Sequence, residues 1–140
     1  MKVQPYLFFD GRCEEALEFY KEKLGAEVGD LMRFSEAPPM PQSDAGCEMA
    51  PGSENKILHA DFKIGETALM ASDGMNSGNP NFEGISLALS LASMEETERL
   101  FNALSEDGQI QMPLGPTFFS PSFGMVTDKF GVSWMIMAEK

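Results

Sequence analysis

The stretch PYLFFDGRCEEALEFYKEKLGAE, residues 5–27, decides the fold. Its first residues are aromatic and branched and end at the turn pair Asp10-Gly11, a composition typical of a β-strand. Apolar residues then repeat at helical spacing until Gly25, a residue type that commonly ends a helix. The apolar stripe of this predicted helix consists of Cys13, Ala16, Leu17, Tyr20 and Leu24. The next residues, AEVGDLMRFS, predict a second strand.

A hairpin follows a long loop. The segments ILHADFKI (57–64) and TALMAS (67–72) are separated by the turn pair Gly65-Glu66 and predict two antiparallel strands. The preceding loop, residues 36–56, contains four prolines and is long for a compact domain. We interpret it either as a functional lid or as a mobile excursion.

The second half of the chain repeats this order of elements. ISLALSL predicts a strand, and Ser93 with Glu96 forms a Ser-x-x-Glu capping box that predicts a helix to about Ser105. The segments QIQMPL, FGMVTDKF and VSWMIM predict three strands. The expected apolar stripe of this helix consists of Met94, Thr97, Phe101 and Leu104. The two halves overlay with an offset of 81 residues, which indicates an internal repeat.

A strand, a helix and three strands therefore occur twice. The sequence predicts a single domain over residues 1–140, with an α+β fold of two βαβββ modules at about 1–73 and 82–140. We expect the modules to form a curved mixed sheet with both helices on its outer face. The concave inner face, here called the cup, is the expected place for a ligand.

Composition excludes several classes of partner. The net charge of −12 disfavours binding to nucleic acid and to anionic membrane surfaces. No apolar run approaches the ~20 residues of a membrane span, and the first residues lack the pattern of a signal peptide. Cys13 and Cys47 form no CxxC pair, so we expect free thiols. These features predict a cytoplasmic protein.

Three stretches resemble the PhnB-like branch of the glyoxalase/bleomycin resistance/dioxygenase (vicinal oxygen chelate) superfamily. They are residues 5–27, HADFKIGETALMASD at 59–73 and FGMVTDKFGVSWMIM at 123–137. This branch is also described as a demethylubiquinone methyltransferase. The chain, however, has no glycine-rich strand-to-helix turn followed by an acidic residue, so the residues do not support methyl transfer with a nucleotide-type cofactor. The resemblance also implies a homodimer, because relatives commonly build their cups across a subunit interface.

Metal-dependent members of this superfamily hold a divalent ion with four side chains, one each from the first, fourth, fifth and eighth strands. The corresponding positions in this chain are Pro5, Ala71 (or Leu69), Ser86 and Met135. Shifting the register by one residue gives Gln4, Tyr6, Met70 and Ile136. Neither set suits a hard or borderline divalent ion. We therefore expect no metal at the usual position, and we predict no cofactor.

His59, the only histidine, shares a strand face with Asp61 and Lys63. One hypothesis is an acid–base pair in which Asp61 orients the imidazole. The other, which we favour, is an ordinary hydrogen-bonded strand face. A nonstandard metal site formed by His59, Asp61 and Asp73 is a further alternative. We interpret Asp128 and Lys129 as turn residues and Cys13 as a packing residue.

The sequence predicts a protein that binds a small, partly apolar molecule in the cup. The expected ligand-binding residues are Phe9, His59, Asp61, Ser86, Ser90, Phe123, Met135 and Met137, with Leu7 and Ala88 on the same surface. On the last strand, Met135 and Met137 should face the cup while Trp134 and Ile136 face the helices. His59 and Asp61 are the candidate catalytic residues, although the sequence leaves open whether a reaction occurs. The alternatives are a metal-dependent lyase, isomerase or dioxygenase with a rearranged site around those two residues, and a purely structural role.

Overall fold

A computed structural model of the chain describes residues 1–36, 53–74 and 80–140. The chain divides into two compact units, Met1–Asn81 and Phe82–Lys140. The N-terminal unit contains β1 (Tyr6–Phe8), α1 (Cys13–Leu24), β2 (Glu27–Arg33), β3 (Ile57–Ile64) and β4 (Thr67–Ser72). The C-terminal unit contains β5 (Leu87–Leu91), α2 (Met94–Ser105), β6 (Gln109–Gly115), β7 (Phe123–Thr127) and β8 (Ser133–Ala138). Most of the proline-rich loop, with Cys47, lies outside the described residues.

The two units have the same topology. The N-terminal sheet has the strand order β1-β4-β3-β2, and the C-terminal sheet has the order β5-β8-β7-β6. In each sheet the first strand pairs with the last in parallel, and the other pairs are antiparallel. This confirms the α+β fold of two βαβββ modules and the predicted hairpin at 57–72. The described strands are hydrogen-bonded as two four-stranded sheets.

Helix α1 packs on one face of the N-terminal sheet. Gly25 ends the helix in the left-handed conformation with φ of 69°, and its N–H donates to the carbonyl of Tyr20. The buried Tyr20 ring stacks on Phe62 with centroids 6.4 Å apart and lies 6.1 Å from Phe9. Strand pairing places further residues on this same face, namely Leu7, Ala60, Leu69 and Ala71. We call the opposite face of each sheet, which its helix does not cover, the distal face.

Helix α2 packs on the C-terminal sheet in the same way. Ser93 caps it, since its Oγ accepts a 3.1 Å hydrogen bond from the N–H of Glu96, as the capping-box pattern predicts. The buried residues of α2 are Thr97, Leu100, Phe101 and Leu104. The prediction that Met94 belongs to this stripe is wrong, because it is 56% exposed at the first position of the helix. Leu100, which the predicted stripe did not include, is buried in its place.

The last strand has the expected alternation. Phe101 lies directly over Gly124, and Gly124 pairs with Ile136, so this side of β7 and β8 faces α2. Trp134 and Ile136 are buried on that side. Met135 and Met137 are half-buried on the distal face. The predicted division of β8 into a helix face and a thioether face is therefore confirmed.

The offset of 81 residues holds for the helices but not for the first strands. Phe9, on the helix face of its sheet, precedes the first residue of α1 by four positions. Leu91 pairs with buried Ala138 on the helix face and precedes the first residue of α2 by only three positions. The strands therefore align with an offset of 82. Since strand side chains alternate between faces, this single extra residue reverses every face assignment carried from one strand to the other.

Neither α1 nor α2 is long or apolar enough to cross a membrane, and the described residues contain no other α-helix.

Candidate functional site

Three polar side chains form a hydrogen-bonded chain on the distal face of the N-terminal sheet. The hydroxyl of Tyr6 lies 2.9 Å from Nδ1 of His59. Nε2 of the same imidazole lies 3.0 Å from Oδ1 of Asp61. The predicted contact between His59 and Asp61 is thus present, and Tyr6 extends it to a third residue.

Strand register brings these residues together. Tyr6 on β1 and Asp61 on β3 both pair with Met70 on β4, so the two polar residues flank one thioether on the same face. His59 is two positions from Asp61 and therefore shares that face. The pairing of β1 with β4 is parallel and joins residues 64 positions apart. Local sequence patterns carry no information about such a pairing.

Asp61, the last of the three residues, determines which atoms donate and which accept in these hydrogen bonds. A carboxylate oxygen can only accept, so Nε2 of a neutral His59 carries the hydrogen that Asp61 receives. Nδ1 is then an acceptor, and the Tyr6 hydroxyl donates to it. Partial burial raises the pKa of Tyr6 and outweighs the lowering by a hydrogen bond with Ser72, and the nearby charge of Asp61 adds to the rise. Tyr6 is therefore a neutral phenol at physiological pH.

Apolar groups surround the polar chain. Phe8 follows Tyr6 on the same face, and the two rings stack with centroids 4.9 Å apart. Phe8 is 54% exposed and Tyr6 is 37% exposed. Met32 pairs with His59 and is also exposed. Asp61 also lines a depression of about 320 Å³, together with Glu27, Val28, Gly29, Phe62, Lys63 and Ala68.

Asp73 does not join this group. It is 1% exposed, and its two oxygens accept hydrogen bonds from the N–H groups of Gly11, Cys13 and Ile57. Its carboxylate thus satisfies the backbone at the start of α1 and β3. Within the described ranges, no three His, Cys, Asp or Glu side chains are grouped as a metal site. The metal site proposed from His59, Asp61 and Asp73 is therefore wrong.

Asp128 and Cys13 have the structural roles expected of them. Oδ1 of Asp128 accepts from the N–H groups of Phe130 and Val132, and Oδ2 accepts from the indole of Trp134 at 2.8 Å. Cys13 is fully buried. Desolvation raises the pKa of its thiol, and the neighbouring carboxylates Asp73 and Glu14 raise it further. A buried neutral thiol is a packing group rather than a nucleophile.

Five of the predicted ligand-binding residues lie on the distal face of the C-terminal sheet. Met137 pairs with Ser90 on one side and with Phe123 on the other, and Met135 follows the same alternation. Ser86 lies at this face too, because its hydroxyl is 2.7 Å from that of Ser133. This surface is mainly apolar. In the C-terminal unit, the structure thus places Ser86, Ser90, Phe123, Met135 and Met137 together.

Phe9 lies on the helix face of its sheet and not on a distal face. The prediction that Leu7 and Phe9 share a face with His59 is wrong, because both are buried on the helix face. The positions aligned with the superfamily's metal ligands also divide between the distal face and the helix face. Ser86 and Met135 lie on a distal face, whereas Ala71 pairs with Leu7 on the helix face and Pro5 precedes distal Tyr6. At the distal positions, the N-terminal sheet offers instead the phenol of Tyr6 and the thioether of Met70.

Tyr6 and Phe8 belong to this candidate site, although the sequence patterns indicated Tyr6 only in a shifted metal-ligand register and did not indicate Phe8. Residues 6–9 read Tyr-Leu-Phe-Phe, which is apolar on both faces, so alternation alone does not tell which pair is buried. The polar atom of Tyr6 was the available signal, since a tyrosine hydroxyl seeks a hydrogen-bond partner at the edge of an apolar surface. The distance between Tyr6 and His59 along the chain concealed that partner.

Residues 1–137 match the family described as 3-demethylubiquinone-9 3-methyltransferase. The chain is 39% identical over 144 residues to protein YjdN of Escherichia coli strain K12, with 100% of this chain and 97% of YjdN covered. It is 42% identical to the crystal structure of protein PA1353 from Pseudomonas aeruginosa, with a TM-score of 0.82 and coverage of 99% and 98% of the two chains. It is 31% identical to a PhnB protein from Bacillus cereus described as a putative 3-demethylubiquinone-9 3-methyltransferase, with a TM-score of 0.78 and 99% of both chains covered.

Similarity of fold alone is found with a solved structure of much lower sequence identity. A glyoxalase/bleomycin resistance protein/dioxygenase family enzyme from Burkholderia phytofirmans is 11% identical, with a TM-score of 0.58 and coverage of 99% of this chain and 96% of that one. The predicted glyoxalase-type fold is confirmed.

Proposed function

The chain belongs to the PhnB-like family described as 3-demethylubiquinone-9 3-methyltransferase, which has the glyoxalase/bleomycin resistance fold, and from this premise we propose that it binds a small, partly apolar molecule on the distal face of its N-terminal sheet. The observation that carries the proposal is the Tyr6–His59–Asp61 chain beside the exposed Phe8 ring. Ligand sites characteristically combine apolar surface with a few convergent polar groups.

The exposed rings support this assignment. Leaving an aromatic side chain in water forgoes stabilisation of roughly 1.5–3 kcal/mol that burial would provide. Phe8 remains 54% exposed although buried positions for aromatic residues exist in the same part of the chain, such as that of Phe9. A clustered apolar surface with polar neighbours is more typical of a binding site than of a bare strand face.

The flexible side chains nearby favour an adaptable surface. Met32 and Met70 lie on the same face and pair with His59, Tyr6 and Asp61. Unbranched thioethers adjust to ligands of different shape, which suits a protein of broad rather than narrow specificity. Asp61 also lines the depression of about 320 Å³, so this cavity adjoins the hydrogen-bonded residues.

Binding is proposed to need no metal. The residues at the distal positions closest to the superfamily's usual ligands are a phenol and thioethers, which are weak donors for hard divalent ions. Elemental analysis of protein purified without chelator tests this point. One divalent ion per chain that is lost in a His59→Ala variant would contradict it.

A probe with a ring but no charge tests the proposed site. We expect 4-nitroanisole to raise the melting temperature of the protein and to shift the amide resonances of β1 and β3. A Phe8→Ala variant should lose most of this effect, because the stacked platform is removed. The matched control is Phe118→Ala, which removes an exposed ring from the C-terminal unit and should leave the shifts in β1 and β3 unchanged. Unchanged binding in Phe8→Ala would overturn the proposed site.

We further propose a cytoplasmic homodimer. The acidic composition and the lack of a disulfide-type cysteine pattern support the compartment. Exposed apolar residues at the edge strand β6, Ile110 and Met112, support self-association, because exposed edges and apolar patches favour pairing. Sedimentation velocity gives the mass in solution, and cell fractionation gives the compartment.

A further inference from the structure

The Tyr6 oxygen is the exposed polar atom through which a ligand can meet the hydrogen-bonded residues of the distal face. The proton of Tyr6 is committed to Nδ1 of His59. The phenol oxygen has two lone pairs, of which a hydrogen bond with Ser72 uses one, so the other can accept from a ligand. Nε2 of His59 is committed to Asp61. A ligand resting on the Tyr6 and Phe8 rings would therefore meet the chain at the Tyr6 oxygen, and it would have to donate a hydrogen there.

The hydrogen-bonded side chains Tyr6, His59 and Asp61 can also accept a proton. Protonation of His59 at Nδ1 produces an imidazolium whose Nε2–H points to the carboxylate of Asp61 at 3.0 Å. Asp61 remains the hydrogen-bond acceptor for Nε2 when His59 is protonated. A hydrogen bond between ionised groups is roughly twice as strong as one between neutral groups. The arrangement is thus suited to remove a proton from a bound acidic hydroxyl.

We propose that the Tyr6–His59–Asp61 chain binds aromatic or enolic hydroxyl compounds and takes up their acidic proton. The ligand O–H bond breaks and its proton joins the Tyr6 oxygen. At the same time the original Tyr6 proton moves to Nδ1 of His59. The ligand is then an oxyanion hydrogen-bonded to a neutral tyrosine, His59 is an imidazolium, and no proton or electron is gained or lost overall. This inference rests on the proposed function, since it names the class of ligand for the same site.

Charge and acidity distinguish phenols and enols from carboxylates and aliphatic alcohols as ligands of this site. A carboxylate ligand arrives already ionised, and it would place a second negative charge near Asp61 in a protein with a net charge of −12. An aliphatic alcohol has a hydrogen to donate but too little acidity to lose it to an imidazole. A phenol or enol arrives neutral, stacks on an aromatic ring, and becomes charged only where an imidazolium can balance it.

A pair of probes distinguishes this inference from the proposed function. 4-Nitrophenol carries an acidic hydroxyl and is yellow only as the phenolate, whereas 4-nitroanisole has the same ring without that hydrogen. At a pH at which free 4-nitrophenol is mostly protonated, we expect bound probe to show the phenolate absorption. We also expect its affinity to exceed that of 4-nitroanisole by about tenfold, the value of one hydrogen bond involving an ionised group.

Two variants test whether the phenolate signal and the tenfold preference come from the Tyr6–His59–Asp61 hydrogen bonds. Tyr6→Phe should lose the tenfold preference and the phenolate signal while still binding 4-nitroanisole, which shows that the aromatic platform is intact. Asp61→Asn should keep the binding of 4-nitroanisole but weaken both the phenolate signal and the preference for 4-nitrophenol, because the imidazolium loses its balancing charge. Asp30→Asn, at an exposed position on β2, is the matched control and should change neither.

The possible results distinguish failure of the proposed function from failure of the further inference. If neither probe binds, the proposed function fails. If 4-nitroanisole binds but 4-nitrophenol binds no tighter and stays protonated, the proposed function stands and the inference about acidic hydroxyl compounds is overturned. Retention of the phenolate signal in Tyr6→Phe would overturn that inference as well.

Discussion

The carboxylate of Asp73, immediately after β4, accepts a 2.8 Å hydrogen bond from the backbone N–H of Cys13, the first residue of α1. The same oxygen accepts from Gly11 at 2.8 Å, and the other oxygen accepts from Ile57 at 2.7 Å. One buried side chain thus connects the end of the hairpin to the β1–α1 turn, the start of the helix and the start of β3. Arg12, the residue before α1, provides no side-chain cap, so Asp73 takes that role from a distant part of the chain.

Asp73→Asn is expected to destabilise the protein strongly. An amide nitrogen in place of either oxygen would face an N–H donor and leave it unsatisfied in a buried site. Each such loss costs about 1–3 kcal/mol, so the free energy of unfolding in urea should fall by roughly that amount or more. The control Asp30→Asn lies at an exposed position and should change it by less than about 0.5 kcal/mol. Equal effects of the two substitutions would show that the Asp73 hydrogen bonds do not matter for stability.

Gly124→Ala should also be destabilising, for a steric reason. A Cβ at this position would lie 2.6 Å from the ring of Phe101, 3.0 Å from Leu114 and 3.1 Å from the carbonyl of Met112. Overpacking of this kind costs about 1–3 kcal/mol. Gly115→Ala in the same sheet has nothing within 4 Å of the new methyl group and is the matched control. Denaturant titration of both variants measures the difference, and a stable Gly124→Ala protein would mean that α2 moves away easily.

The ion pair between Glu14 and Arg33 should make stability depend on pH. Its hydrogen bond with Arg33 lowers the pKa of Glu14 below the ordinary glutamate value of about 4.3. A carboxyl group with a lowered folded-state pKa stabilises the fold above its unfolded pKa, and this contribution disappears as pH falls through the folded value. Glu14→Gln should therefore destabilise at pH 7 and matter less under more acidic conditions. Because both side chains reach solvent, the effect should be small and should shrink with added salt.

Glu18→Gln serves as its control, since it removes an exposed carboxylate from the same helix. Urea titrations of both variants at pH 7 and at about pH 3 provide the comparison. An identical pH dependence for the two would remove the ion pair from the explanation.

Cys13 should resist thiol reagents in the folded protein. The side chain is fully buried, and desolvation raises its pKa, so the reactive thiolate is scarce. In a Cys47→Ser background, labelling by a disulfide reagent should be slow at neutral pH and should accelerate only with unfolding. Rapid labelling under native conditions would indicate that the start of α1 opens locally.

The order of elements was already determined by the sequence. Gly25 ends the first helix and Ser93 begins the second where the sequence predicts it, because these signals act over a few residues. The division of β8 into Trp134 and Ile136 against Met135 and Met137 was also predictable, since alternation in a strand needs no tertiary information.

The tertiary structure alone decided which face of β1 is buried and which residues meet there. Tyr6 and Phe8 compete with Leu7 and Phe9 on nearly equal hydrophobic terms, and the choice is made by packing against Tyr20 of α1 and Phe62 of β3, which lie outside the strand. One additional residue between β1 and α1 reverses the face relative to the C-terminal unit. The contact of Tyr6 with His59 then follows from a parallel strand pairing, which is a long-range interaction that no local pattern encodes.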